Sequence, residues 1–295
     1  AIFGLLYASP GSVEQVLLAG RTANEETRQN IRDRYNLDES LPTQYSMWAK
    51  GALQLDFGES IRTGEPVLTA IKERGRLTLR LGAYGFTLAF VAGIGLGILA
   101  AVRNRSSIDR AVVSMSVVGA SAPPFVTGVF LLYVFAVLLG WFPAFGQGEG
   151  LVDQLWHLTL PALTLAFGGA ALLTRFTRAG MITALDQDYV TFARARGVSE
   201  GRVLVGYALR NAMIPVVTAS TVLLAAMLTG AVLVEVTFAL PGLGALLIDS
   251  VAFKDIPMVQ GLAMLLAAVA ILTNLLTDVL YLFADPRIRY GRVAP

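Results

Sequence analysis

The chain has 295 residues, 55% of them hydrophobic and only 15% charged, with a mean hydropathy of +0.63; an average soluble domain carries roughly 25% charged residues, so this composition excludes an ordinary soluble fold. A net charge of +2 from nearly balanced signs gives no basis for a nucleic-acid partner. The absence of cysteine and the single histidine exclude disulfides, thiolate catalysis and multi-histidine metal sites.

Residues 1–8, in "AIFGLLYASPG", offer only about eight apolar residues before a Pro-Gly turn, roughly 12 Å of helix. They are read as the outer end of a first transmembrane helix that begins before Ala1, because no basic n-region or cleavage site marks a signal peptide. Residues 9–76 turn polar, with nine Lys or Arg and ten Asp or Glu, and carry Tyr35, Tyr45, Trp48 and Phe57 as aromatic anchors. They are expected to form a small domain or cap outside the membrane. Within them "NEETRQNIRDRYNL" has helical spacing, with Asn24 as N-cap and Thr27 and Ile31 on one face.

Five apolar stretches follow, at 77–102, 111–139, 156–174, 212–234 and 257–283, each near the roughly 20 residues that cross about 30 Å of hydrocarbon. Pro123 and Pro124 interrupt the second, and their missing amide donors predict a kink. Gly93 and Gly97, in "AGIGLGILAA", form a small-xxx-small pair that predicts close helix packing. With the truncated first segment the expectation is an all-α polytopic membrane protein of six transmembrane helices, with an exoplasmic segment between helices 1 and 2.

Lys and Arg of short loops accumulate on the cytoplasmic side. "RNRSSIDR", the stretch 175–211 and the tail after Phe283 together hold twelve Arg against five acids, Asp109, Asp186, Asp188, Glu200 and Asp285. The alternate short loops, 140–155 and 235–256, hold one Lys and five acids. The basic set, including the C-terminus, is therefore expected in the cytoplasm, and residues 9–76 outside.

Chemistry is sparse. Asp278 lies near the cytoplasmic end of the last span, where a structural pairing role is favoured over a proton pathway. His157, at the outer start of a helix, reads as a capping or packing residue, with no acid or nucleophile spaced to act with it. The three lysines precede Gly51, Glu73 and Asp255, so no P-loop Gly-Lys-Ser/Thr exists and any nucleotide energy must come from another subunit.

The remaining feature is "DYVTFARARGVSEGRVLVGYALRNAMIPV", residues 188–216, a basic, helix-forming loop in a greasy chain. From Asp188 to Arg196 it can form a short helix with Tyr189, Phe192, Ala193 and Arg196 on one face. Ala193 and Ala195 would allow close seating, and Gly197 is placed to end the helix. An aromatic-and-arginine surface suits protein docking; an amphipathic helix lying on anionic lipid fits equally. Irregular backbone at Pro123, Pro124 and the turn from Pro241 to Gly244 makes these the candidate pathway positions, since non-helical backbone in a membrane must face a cavity or other protein.

"DYVTFARARG" followed by "ALRNAMIPVVT" resembles the cytoplasmic EAA loop of bacterial ATP-binding-cassette (ABC) importer permeases, in particular the B-type members of the peptide/nickel branch. "YNLDESLPTQYSMW", "LDFGESI", "SAPPF", "HLTLPALTL", "TRFTRAGM", "LPGLG" and "DPRIRYG" match that branch in order, so the resemblance covers nearly the whole chain. Thr191 stands where the general importer motif has glutamate, and Pro215 comes eighteen residues after Gly197, later than the general motif's Leu-Pro.

The resemblance implies a type I ABC importer permease fold in the bacterial inner membrane, and it favours docking for the short helix. Tyr189, Phe192, Ala193, Arg194, Ala195, Arg196, Gly197 and Arg202 would then couple to ATPase subunits, and Pro123, Pro124, Phe125, Pro241, Gly242 and Gly244 would be pathway or gate candidates. It implies a second homologous permease subunit, two ABC ATPases that bind ATP and Mg, an extracytoplasmic solute-binding protein and surrounding lipid, with no catalytic residue, cofactor or metal in this chain. Di- or oligopeptides are the default cargo; nickel chelates, haem and sugars occur among relatives. An ion-gradient transporter would call for deep paired carboxylates or inverted repeats, which the sequence does not display, and a membrane scaffold would not require the loop.

Overall fold

The computed structural model describes Phe3, Gly4, Glu25, Gln29, Arg32, Asp33 and residues 36–284, without the side chains of 228, 277–278 and 280–284. Among these the only regular elements are helices. The truncated first span apart from Phe3 and Gly4, the proposed cap Asn24 with Thr27 and Ile31, the Asp278 side chain and the tail after 284 fall outside them. Glu25, Gln29, Arg32 and Asp33 are helical, with Gln29 donating to Asp33 across one turn at 3.0 Å.

In order, the helices are α1 (Leu41–Leu53), α2 (Val67–Val102), α3 (Ser107–Ser121), α4 (Pro124–Leu131), α5 (Gly150–Leu185), α6 (Asp188–Ala195), α7 (Arg210–Thr237), α8 (Leu243–Ala252) and α9 (Ile256–Ala284). Seven-residue π-helical runs continue α4 over Leu132–Leu138 and lead into α7 over Val203–Leu209. Val67–Val102, Gly150–Leu185, Glu200–Met227 and Ile256–Leu276 are long and apolar enough to cross a bilayer, and α3 with α4 makes a fifth if the pair is one broken span.

Helices α2 and α5 extend well past the bounds read from the sequence. α2 starts at Val67 rather than 77, and α5 runs over 150–185 rather than 156–174. At 36 residues each they measure about 54 Å, well beyond the hydrocarbon thickness, so their charged ends are helix that projects past the apolar stretch. The prolines of the second apolar stretch do more than kink it: α3 and α4 meet at 109°. Ala122, restricted by the following proline, is extended (φ −76°, ψ 122°), and Pro123 (φ −61°, ψ 139°) caps a new helix that opens on Pro124.

The chain divides into two compact units, Ala1–Leu79 with Pro241–Val269, and Arg80–Leu240 with Ala270–Pro295. In the first, Val67, Ala70 and Ile71 of α2 pack with Met258 and Leu262 of α9, flanked by Phe57, Leu243 and Leu246. Asp255, 3% exposed, ends the turn after α8 and caps α9, accepting from Met258 N–H at 3.4 Å. The same carboxylate accepts from Ile61 N–H at 3.2 Å and from the Ser60 hydroxyl, which fixes the 59–66 loop. Arg62 stacks over Phe253, 3.7 Å from the ring centre.

In the second unit α2 runs alongside α5 on a stripe of small residues. A Cβ on Gly85 would lie 3.1 Å from Leu165 Cβ, one on Gly93 2.5 Å from Leu173 Cβ, and one on Gly97 2.5 Å from Thr177 Cβ; Ala89 sits opposite Gly169. Both sides advance by four in the same direction, so the helices are parallel and meet through i, i+4 rows. The pair expected at Gly93 and Gly97 is thus half of a longer seam. α5 also meets α7, where a Cβ on Gly180 would lie 3.1 Å from Ala212 Cβ.

Candidate functional site

The basic loop is built onto the ends of α5 and α7. Only Asp186 and Gln187 separate α5 from α6, and Val190 and Ala193 of α6 bury against Val203, with Leu185 and Val198 beside them. Gly197 (φ +74°) reverses the chain: its N–H donates to Arg194 O at 3.0 Å and the Val198 N–H to Ala193 O at 3.1 Å. This is a Schellman C-cap, and the left-handed residue at its centre is the position glycine fills without a Cβ penalty.

Anchoring by Val190 and Ala193 decides which face of α6 is free. Phe192 is 69% exposed, and Tyr189 is 37% exposed while its hydroxyl accepts from Asn211 Nδ2 of α7 at 3.1 Å. Ala195, Arg196 and Arg202 are exposed, and Arg194 forms a forked pair with Glu200 (2.9 and 3.2 Å). Ala193 is corrected: at 5% exposure it belongs to the anchoring face and is not available for contact. Tyr189, Phe192, Ala195 and Arg196 remain on the open side.

The pathway candidates separate by burial. Pro123 and Phe125 are exposed and Pro124 half-buried at the 109° break. At the other turn, Ala239 takes φ +51° in a second Schellman pattern, with Leu240 N–H donating to Glu235 O at 2.8 Å. Gly242 and Gly244 are buried and Pro241 half-buried, which corrects the expectation that these glycines line an open path.

Three charged residues were missed. Glu235, assigned from sequence to an outer loop, lies within α7 and has no exposed surface; the flanking apolar residues of "LVEVTF" were the available signal. Asp109 and Arg178, counted as loop charges, form a part-buried ion pair at 2.6 Å, with the carboxylate the more enclosed partner. His157 faces its own helix, Nδ1 lying 2.9 Å from Asp153 O and 3.3 Å from Asp153 Oδ1, which corrects the expectation that no acid is spaced to meet it. Among the described residues no three His, Asp or Glu side chains converge as a metal site requires.

The family described as "Binding-protein-dependent transport system inner membrane component" matches residues 93–290. The chain is 38% identical to the probable peptide ABC transporter permease protein of Sinorhizobium fredii, the alignment covering 98% of this chain and 93% of that one. It is 40% identical to the glutathione transport system permease protein GsiC of Shigella flexneri, over 98% and 92% of the two chains. Among solved structures, the MetNI methionine ABC transporter in an inward-facing conformation matches with TM-score 0.61 at 16% identity, over 74% of this chain and 97% of that one. An amino acid ABC transporter matches with TM-score 0.56 at 18% identity, over 72% and 93%. These two show the fold, that of a type I ABC importer permease, and the sequence matches carry the family: this multi-pass membrane chain belongs to the binding-protein-dependent transport system inner membrane components, the permease subunits of ABC importers.

Proposed function

We propose that this subunit forms half of the pathway of an ATP-driven importer of short peptides and that α6 is where it receives the work of ATP. The carrying observation is Phe192, 69% exposed on a helix whose opposite face is buried and whose end is fixed by Gly197. An aromatic side chain held out on a rigid mount is the kind of group that dominates a protein interface. Its mount touches two long helices, through Leu185 of α5 and through Asn211 of α7, so a force on α6 reaches both. The charge distribution favours a cytoplasmic location for α6 and the C-terminus.

The partners in this reading are two ABC ATPases, which supply ATP and Mg binding, a second homologous permease and an extracytoplasmic solute-binding protein that delivers cargo. Peptides are the cargo class supported by the relatives, a probable peptide permease and a glutathione permease. The break at Pro123–Pro124 faces the pathway, where exposed irregular backbone has a use. Phe192→Asp tests the docking site: the tagged permease is expected to lose co-purifying ATPase and peptide uptake while its abundance in the membrane is unchanged. Undiminished ATPase recovery and uptake would sink the proposal.

A further inference from the structure

Upstream of α6, on α5, Arg178 donates from Nε to Asp109 Oδ1 at 2.6 Å and from Nη2 to Oδ2 at 2.8 Å. A fork of this kind fixes direction as well as distance. The Arg105 backbone N–H also donates to Oδ2 at 2.8 Å, and Arg178 Nη2 to Asn104 Oδ1 at 3.3 Å. The turn before α3 and the first turn of α3 therefore close around one guanidinium. Ser106 holds the turn from the other side, its hydroxyl accepting from Asp109 N–H at 3.2 Å. The Asp109 side chain is 5% exposed, so water competes little for it.

α3 has a second attachment to α5. A Cβ on Gly119 would lie 3.1 Å from Ala171 Cβ and 3.2 Å from Phe167 O. Fastened near both ends, α3 must move with α5, and α3 is the arm that ends at the 109° break. At its own C-terminal end α5 carries α6, through Leu185 against buried Val190 and Ala193. A displacement of Phe192 thus has a continuous mechanical route: the α6 anchor, α5, the Arg178–Asp109 fork, α3, and the backbone at Ala122–Pro123.

We infer that Asp109 and Arg178 are positioning residues for coupling, which transmit movement of the docking helix to the broken span. The inference rests on the reading of α6 as the ATPase-docking element. A merely structural pair would hold the fold and nothing more; a transmitting pair sets how much transport each hydrolysis event yields.

The test uses the whole transporter, permease with partner subunits and binding protein, in vesicles. Peptide uptake, ATP hydrolysis and ATPase co-purification are measured for Asp109→Asn and for Arg178→Lys, which keeps the charge and loses the fork. Both variants are expected to retain their ATPases and to hydrolyse ATP, while peptide moved per ATP falls about tenfold, within the usual range of coupling between sites. An unchanged ratio, or one that falls only in step with lost ATPase, overturns the inference. Where Asp109→Asn does not accumulate, Arg178→Lys decides on the same two outcomes. A wrong docking reading shows itself separately, as normal ATPase recovery by Phe192→Asp with the Asp109–Arg178 pair intact.

Discussion

Replacing Gly97 by alanine adds one carbon at the tightest point of the α2–α5 seam. That carbon would sit 2.5 Å from Thr177 Cβ and 2.9 Å from Thr174 O. Non-bonded carbons rest about 3.5–4.0 Å apart. Neither neighbour is the free end of a flexible chain, so the helices must separate by roughly 1 Å, enough to forfeit a quarter to a half of each nearby van der Waals contact. Lipid supplies no hydrophobic compensation between helices, and overpacking of this kind costs about 1–3 kcal/mol. Gly95→Ala is the control: the same helix and substitution, with nothing within 4 Å of the new carbon. Alanine's gain in helix propensity, about 1 kcal/mol, is common to both and cancels. The thermal midpoint in a fixed detergent should therefore be lower for Gly97→Ala than for Gly95→Ala, by the equivalent of about 1–3 kcal/mol. Equal midpoints, or a higher one for Gly97→Ala, would refute the seam as a determinant of stability.

Gly197→Val forces a β-branched residue to φ +74°, where an ordinary side chain costs about 1–2 kcal/mol; hydrogen exchange over 188–198 should quicken while that over α5 does not. Asp255→Ala removes the α9 cap together with the acceptor for Ser60 and Ile61. Cap loss alone is worth about 0.5–2 kcal/mol, and limited proteolysis should cut the 59–66 loop faster than in the unmodified protein. Glu200→Gln breaks an exposed pair, with side chains 44% and 64% accessible, so stability should change by less than about 1 kcal/mol; a larger drop in thermal midpoint would give the pair a structural weight this geometry does not.

The seam and the cap were legible because each has a local signature: Gly93 and Gly97 four apart in an apolar run, and Gly197 directly after a helical pattern. Helix ends were not, since hydropathy reports where a segment leaves the hydrocarbon, whereas helix continues wherever side chains still pack. Lys72, Glu73, Arg74 and Arg76 put the start of α2 among polar residues, although Val67, Ala70 and Ile71 keep a buried face. On α6 two apolar pairs with the same spacing, Tyr189 with Phe192 and Val190 with Ala193, make opposite choices of inward face equally periodic. Only the neighbouring Leu185 and Val203 decide that the second pair is buried. The Asp109–Arg178 fork joins residues far apart in sequence, so no local pattern announces it.

In the proposed mechanism the open face of α6 is the contact with the ATPase. A photo-cross-linking residue at position 192 of the assembled transporter is the direct probe, with one at position 152, a site 82% exposed in the first turn of α5, as reference. Position 192 should cross-link to the ATPase and position 152 should not. Cross-linking from 152, or none from 192 in an assembly that still hydrolyses ATP, would contradict the account.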